Sequence, residues 1–254
     1  MLRLIRLIAL SLVLPISMPA YTEENKPDAR KILTNMDNEY NKHKDLDMTL
    51  VVTLYSGDKV EKVVKARNYE KDGNKRLLRI LEPADVAGMA ILTVDADTIY
   101  VYLPEFNRVR RVAAHAKKNS FLGSDFSEQE IAILRYDELF DPELIKEEEK
   151  EYLLKLIPKP GKEFSAAYLM MWVDKGNGLF NRVEYYSEDG VKLKTQFRSE
   201  TKDYGDGYIQ TRVKMVDHLK NHSTEITFDG IKRNKGLSDK IFSRRYLEWG
   251  ESEN

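Results

Sequence analysis

His218 and His222 are spaced as two ligands of one metal ion could be, but they flank Leu219, Lys220 and Asn221, a polar turn between two β-type runs. A turn does not set two imidazoles on one face, and His43 and His115 stand alone, so no metal site is expected. Carboxylates crowd residues 137–151, where eight acids face two lysines and Pro142 interrupts the run. Charge that dense reads as a solvated connection, not as the paired acids of a hydrolase. The chain has no nucleophile elbow, no phosphate-cradling glycine loop and no zinc-protease helix. The expectation is a protein that is not an enzyme and needs no cofactor. Two neighbouring segments are more unusual. Residues 105–118 carry Arg108, Arg110, Arg111, Lys117 and Lys118 with no acid after Glu105, and they lead into the loop Ser120-Phe-Leu-Gly-Ser-Asp-Phe126.

Those segments interrupt a chain that otherwise reads as β-structure. Pro27 to Tyr40 predicts one amphipathic helix, with Ala29, Ile32, Leu33, Met36 and Tyr40 recurring at helical spacing. Short β-type runs follow at 48–55, 59–69, 75–82, 88–94 and 97–103, separated by turn signals such as Ser56-Gly57-Asp58 and Asp72-Gly73-Asn74. After Pro104 strand patterning stops. Ser127 and Glu130 have capping-box spacing and start a second helix over 127–136. Strands resume at 151–157, 166–174, 180–187, 191–198, 208–217 and 222–229, and 242–247 is a final short strand or tail. Eleven strands at regular spacing, with helical interruptions near the start and middle, predict one large curved antiparallel sheet. The helices would cover its concave face.

Residues 1–20 have the layout of a secretory signal peptide: Arg3 and Arg6, an apolar run from Leu7 to Leu14, then Pro15 and Met18-Pro19-Ala20. The run is shorter than the roughly 20 residues that cross a bilayer. Cleavage after Ala20 is expected, leaving residues 21–254 as one domain, soluble and extracytoplasmic. The 254-residue chain has no cysteine, hence no disulfide and no lipid-bearing cysteine at the new amino terminus. Removing the two arginines takes the formal charge from -1 to -3, which gives no reason to expect nucleic acid.

Four segments in order carry a resemblance: Pro83-Ala-Asp-Val-Ala-Gly-Met-Ala90, Ile99-Tyr-Val-Tyr-Leu-Pro104, Arg108-Val-Arg-Arg-Val112 and Ser120-Phe-Leu-Gly-Ser-Asp-Phe-Ser127. It continues through Met171-Trp-Val-Asp174, Arg182-Val-Glu-Tyr-Tyr186, Asp189-Gly-Val-Lys-Leu-Lys194 and Phe242-Ser-Arg-Arg-Tyr-Leu247. The chain resembles the outer membrane lipoprotein-sorting proteins of the LolA/LolB-like superfamily. That resemblance implies a mainly β fold, a half-open antiparallel β-barrel of eleven strands with a helical lid, in the periplasm. It also implies an apolar cavity that holds acyl chains of a lipid or lipoprotein, and an inner-membrane exporter of resistance-nodulation-division type as partner.

Strand parity nominates the cavity wall: Leu50, Val52 and Leu54, Leu78 and Ile80, Met89 and Ile91, Tyr100 and Tyr102, and Met170 and Trp172. Ordinary core is the competing reading of each. Phe121, Leu122 and Phe126 are candidates to gate the mouth, with Gly123 freeing the turn and Asp125 pairing with a nearby arginine. Arg108, Arg110 and Arg111 suit anionic head groups or an acidic transporter surface; a solvated sheet edge is the structural alternative. The expected function is a monomeric carrier that moves acyl chains toward the outer membrane. Its rival is a non-carrying docking subunit of the exporter, with a cavity filled by its own side chains.

Overall fold

The structure is a computed structural model that describes residues 26–95, 98–112 and 120–249. The signal-peptide expectation for 1–20 and the basic residues Lys117 and Lys118 lie outside the described residues. Thirteen antiparallel strands form one sheet in the order β6-β5-β4-β3-β2-β1-β13-β12-β11-β10-β9-β8-β7. The first half is β1 (Asp45–Ser56), β2 (Lys59–Lys71), β3 (Lys75–Glu82), β4 (Ala90–Asp95), β5 (Thr98–Leu103) and β6 (Arg108–Arg111). The second is β7 (Phe140–Glu147), β8 (Glu151–Pro158), β9 (Tyr168–Asp174), β10 (Phe180–Tyr186), β11 (Lys192–Asp203), β12 (Tyr208–Asp217) and β13 (His222–Arg233). Each half is a meander, as consecutive strands with short turns dictate. The halves join where β1 pairs β13, with Leu50 opposite Phe228 and Val52 opposite Ile226. β6 and β7 are free edges, so the barrel is half open.

The expectation of eleven strands falls short by two, and both additional strands are edges. Three arginines in four residues hide the alternation of β6, and a run of acids hides that of β7 within 137–151. On an edge strand such charge is favourable, since it blocks pairing with another chain. Pro142 is tolerated for the same reason: an edge strand has one unpaired side.

The segment 120–139 crosses the concave face ahead of β7. Within it α2 spans only Glu128–Ala132, capped as expected by Ser127, whose hydroxyl accepts from Glu130 N (3.1 Å) while Glu130 returns a bond to Ser127 N (2.7 Å). The chain turns extended at Ile133, and distant side chains hold the carbonyls around the helix end: Arg76 Nη1 donates to Ile131 O, and Asn41 Nδ2 to Leu134 O. Helix α1 (Ala29–Tyr40) is capped by Asp28 and packs beside β7 and β12. Its Asp37 accepts backbone N–H bonds from Tyr136 (3.1 Å) and Asp137 (2.7 Å), which ties α1 to the crossing segment.

Two apolar clusters fill the concave side. One lies under α1 and joins Leu33 and Met36 to Leu154, Leu169, Met171 and Val183. The other lies under the crossing loop and joins Leu50, Val64, Ile80, Ile91 and Val101 to Phe121. A third cluster is on the convex face, where Phe242 and Leu247 cover Leu77, Leu92 and Tyr102. Residues 242–247 are therefore not a strand. A 3-10 turn (Asp239–Phe242) and α3 (Arg244–Trp249) close that face, held by Arg79 Nη2 donating to Tyr246 O (2.8 Å) and Leu247 O (3.0 Å). Among the described residues no helix is long and apolar enough to cross a membrane.

Candidate functional site

Between the concave face and the crossing segment lie two chambers. The first holds about 980 Å³ of empty space including its open mouth, and its walls are Leu46, Met48, Leu50, Val213, Ile226 and Phe228 from the sheet. Phe126, Ile131, Ile133 and Tyr136 cover it from above. The second, about 470 Å³, is lined by Val52, Leu54, Val64 and Ile80 under Phe121 and Leu122, with Ser124 as its one polar side chain. Leu50, Leu78, Phe126, Ile131 and Ile226 line both. The chambers are therefore neighbours, with Phe126 and Ile131 of the covering segment between them.

Register explains the walls. Val52 faces Val64 on β2 and Ile226 on β13, and Ala66 faces Ile80 on β3, so inward residues of four neighbouring strands form continuous apolar rows. The same rows turn polar toward the first chamber. Asn68 lies opposite Leu78 and Glu70 opposite Arg76, so positions that continue the parity of Val64, Ala66 and Leu78 bring charge inside. Glu70 accepts from Arg76 Nε (2.9 Å) and Nη2 (2.8 Å) and from Asn68 (3.0 Å), and His43 Nε2 lies 3.5 Å away. Burial alone would raise the Glu70 carboxyl, but Arg76, His43 and Asn68 outweigh it and hold it well below the usual carboxylate range. Arg76 thus spends two donors on Glu70 and a third on the lid backbone at Ile131.

On the opposite wall, Arg198 Nη1 donates to Tyr40 Oη (3.0 Å), and its guanidinium lies 4.7 Å from the Phe180 ring centre and 5.0 Å from that of Tyr40. With the Gln196 amide turned to satisfy its neighbours, its oxygen accepts from Arg198 Nε (3.0 Å) and Nη2 (3.2 Å).

Of the expected wall residues, Leu50, Val52, Leu54, Leu78 and Ile80 line the cavity. Met89 and Ile91 join the concave cluster behind it without lining it. Four others point the wrong way. Ile91 sits opposite Val101, which turns Val101 inward and puts Tyr100 and Tyr102 on the convex face with the C-terminal helix. Leu154 and Val183 sit opposite Met171, so Met170 and Trp172 face out, and Trp172 is stacked by Arg182 (3.6 Å). These strands are apolar on both faces, because one face meets the cavity and the other a covering element or a stacked cation, so parity could not choose. Leu46, Met48, Ile226 and Phe228 were missed, although they continue the parity of Leu50 and its β13 partners.

The expected gate residues are at the cavity: Phe121 and Leu122 over the second chamber, Phe126 between the two. Leu122 and Gly123 both take left-handed backbone (φ 53° and 83°), which a glycine accommodates without strain. Asp125 does not pair with an arginine. Its carboxylate meets His222 Nδ1 (2.8 Å) and accepts from Thr224 Oγ1 (2.7 Å), pinning the loop to β13. His218 Nε2 is 2.8 Å from Thr195 Oγ1, so the two histidines serve separate neighbours. Among the described residues no group of three or more His, Asp or Glu could hold a metal. Arg108, Arg110 and Arg111 are exposed on the β6 edge; Arg110 approaches Glu128 of α2 (3.6 Å) and Arg111 approaches Thr98 (3.4 Å).

A family model described as an uncharacterized protein matches residues 72–249. A DUF1329 family protein from Desulfovibrio piger has a similar structure, with 27% identity, a TM-score of 0.77, and 86% of this chain and 97% of that chain covered. A putative outer membrane lipoprotein-sorting protein domain from Vibrio parahaemolyticus gives 23% identity and a TM-score of 0.77 over 87% of this chain and 98% of that one. A LolA superfamily protein from Nitrosomonas europaea gives 22% identity and 0.73 over 87% and 100%. No curated protein matches the sequence. The thirteen-stranded half-open sheet is the LolA-like fold, and the chain belongs to the uncharacterized-protein family whose model spans its residues 72–249.

Proposed function

We propose that this chain is a periplasmic carrier that shelters acyl chains of a lipid or lipoprotein in the two-chambered cavity. It receives them from an inner-membrane exporter and passes them toward the outer membrane. The observation that carries this reading is the second chamber, walled by aliphatic and phenyl side chains and divided from the first by Phe126 and Ile131. Polar chemistry has nothing to act on there, whereas each methylene moved into it from water contributes about 0.8 kcal/mol. The covering segment suits release. Arg76 on Ile131 O, Lys194 on Asp125 O (2.8 Å) and the Asp125 pair with His222 fasten it, so it can lift without breaking the sheet. The fold relatives, one of them called a lipoprotein-sorting domain, support the same reading.

Native mass spectrometry of the mature protein taken from its own periplasm, followed by extraction and lipid identification, tests the proposal. A stoichiometric lipid that is displaced when Val52→Trp fills the second chamber supports carriage and names the cargo. A protein that is reproducibly empty and binds no fluorescent fatty acid rules carriage out and leaves a docking subunit as the account.

A further inference from the structure

The two arginines that line the first chamber differ in what neutralises them. Arg76 is opposite Glu70, and the carboxylate takes two of its donors. Among the described residues, the groups that meet Arg198 are neutral: the Tyr40 hydroxyl, the Gln196 amide oxygen, and the faces of Tyr40 and Phe180. Two acids also line the chamber, and both are committed elsewhere. Glu70 holds Arg76, while Glu130 holds Lys194 (3.1 Å), Ser165 (3.1 Å) and its own helix cap. A guanidinium carries five N–H donors, and the contacts to Tyr40 and Gln196 use three, leaving two in its plane while the rings occupy its faces. Arg198 is half-buried in a wall where polar groups sit beside Leu46, Met48, Ile226 and Phe228. A cation so placed is solvated less than in water, and it gains most from an anion that brings two acceptor oxygens in one plane.

We infer that the ligand is an anionic amphiphile, whose single carboxylate or phosphate head docks on Arg198 in the first chamber while its chain passes Phe126 and Ile131 into the second. This rests on the carrier reading and narrows it. Chain burial alone discriminates poorly, because any hydrocarbon of similar length gains the same free energy per methylene. A head-group contact supplies the selectivity, since a ligand without the anion leaves Arg198 unmatched.

The test is titration of the mature protein, at pH 7.5 and below micelle formation, with cis-parinaric acid and the alcohol of the same chain, read by polyene fluorescence. The acid is expected to bind at least ten-fold more tightly than the alcohol. Arg198→Gln should abolish that preference by weakening the acid far more than the alcohol, and Arg198→Lys should restore part of it. Equal affinity for acid and alcohol in the parent protein, or a preference that survives Arg198→Gln, overturns the head-group inference and leaves the carrier reading standing. Binding of neither probe overturns both. Millimolar inorganic phosphate that occupies the site as well as the acid does, with no chain preference, assigns Arg198 to a free anion and overturns the amphiphile.

Discussion

At the scale of single residues, the buried quartet of His43, Asn68, Glu70 and Arg76 decides how the first chamber is held. Glu70 is 3% exposed, and Arg76 is oriented by it toward the lid carbonyl of Ile131. Replacing Glu70 by glutamine keeps the shape and removes the charge, leaving a largely buried guanidinium without a counter-ion. The expected cost is about 3–5 kcal/mol, seen as a lower urea midpoint at unchanged m-value. The pair also sets a pH dependence. Because the folded-state value of Glu70 is depressed, its stabilisation is fully present above the ordinary carboxylate value of 4.5 and is lost as pH falls below it. Midpoints measured between pH 7 and pH 3 should fall in the parent and lose this component in Glu70→Gln; parallel curves would show that the pair is not what acid attacks. The quartet was legible only in part. Parity from Leu78 and Ile80 leads back to Arg76, and from Val64 and Ala66 to Asn68 and Glu70, but charge at those positions reads as the solvent face until cross-strand register puts Glu70 opposite Arg76.

At the scale of elements, the segment 120–139 covers the concave face, and side chains of α1, β3, β11 and β13 fasten it there. The capping box at Ser127 and Glu130 was readable because the signal is local, whereas the helix end was not, since distant side chains hold the carbonyls around it. The anchor of the loop, Asp125 on His222 and Thr224, joins residues almost a hundred positions apart. No spacing in the sequence announces it. Asp125→Ala takes the acceptor from the buried Thr224 hydroxyl and from the half-buried His222 ring, at a cost of about 1–3 kcal/mol. Hydrogen exchange should speed at residues 120–127 while the β1 and β13 amides stay slow, and uniform acceleration would mean that the loop and sheet open together. Phe126→Ala acts between the chambers instead. It joins the chambers, costs about 3–5 kcal/mol, and should widen the range of chain lengths and branching bound, measured by competition against cis-parinaric acid. An unchanged range would show that Phe126 does not measure the chain.

At the scale of the whole molecule, the sheet is closed at neither side, and thirteen strands in one open layer create an edge problem that sequence patterning alone does not pose. The strand alternation made nearly all of the central strands legible, because each has a buried row on one face at least. The edges were opaque because their alternation is overwritten by residues chosen against pairing: Arg108, Arg110 and Arg111 on β6, and Pro142 among acids on β7. Each edge carries mainly one sign of charge, so two copies cannot approach β6 to β6 without bringing six arginines together, and Pro142 lacks the N–H that a new strand would need. If the arginines serve this purpose, replacing all three by threonine removes the repulsion and adds residues that favour strands. The triple variant should fold with a urea midpoint close to that of the parent but self-associate at tens of micromolar, with size-exclusion chromatography and light scattering showing larger species that salt does not disperse. Association of the parent rising steeply with salt would point the same way, since screening weakens the same repulsion. A triple variant as dispersed as the parent would free the three arginines from edge protection and return them to the surface that meets head groups or an exporter.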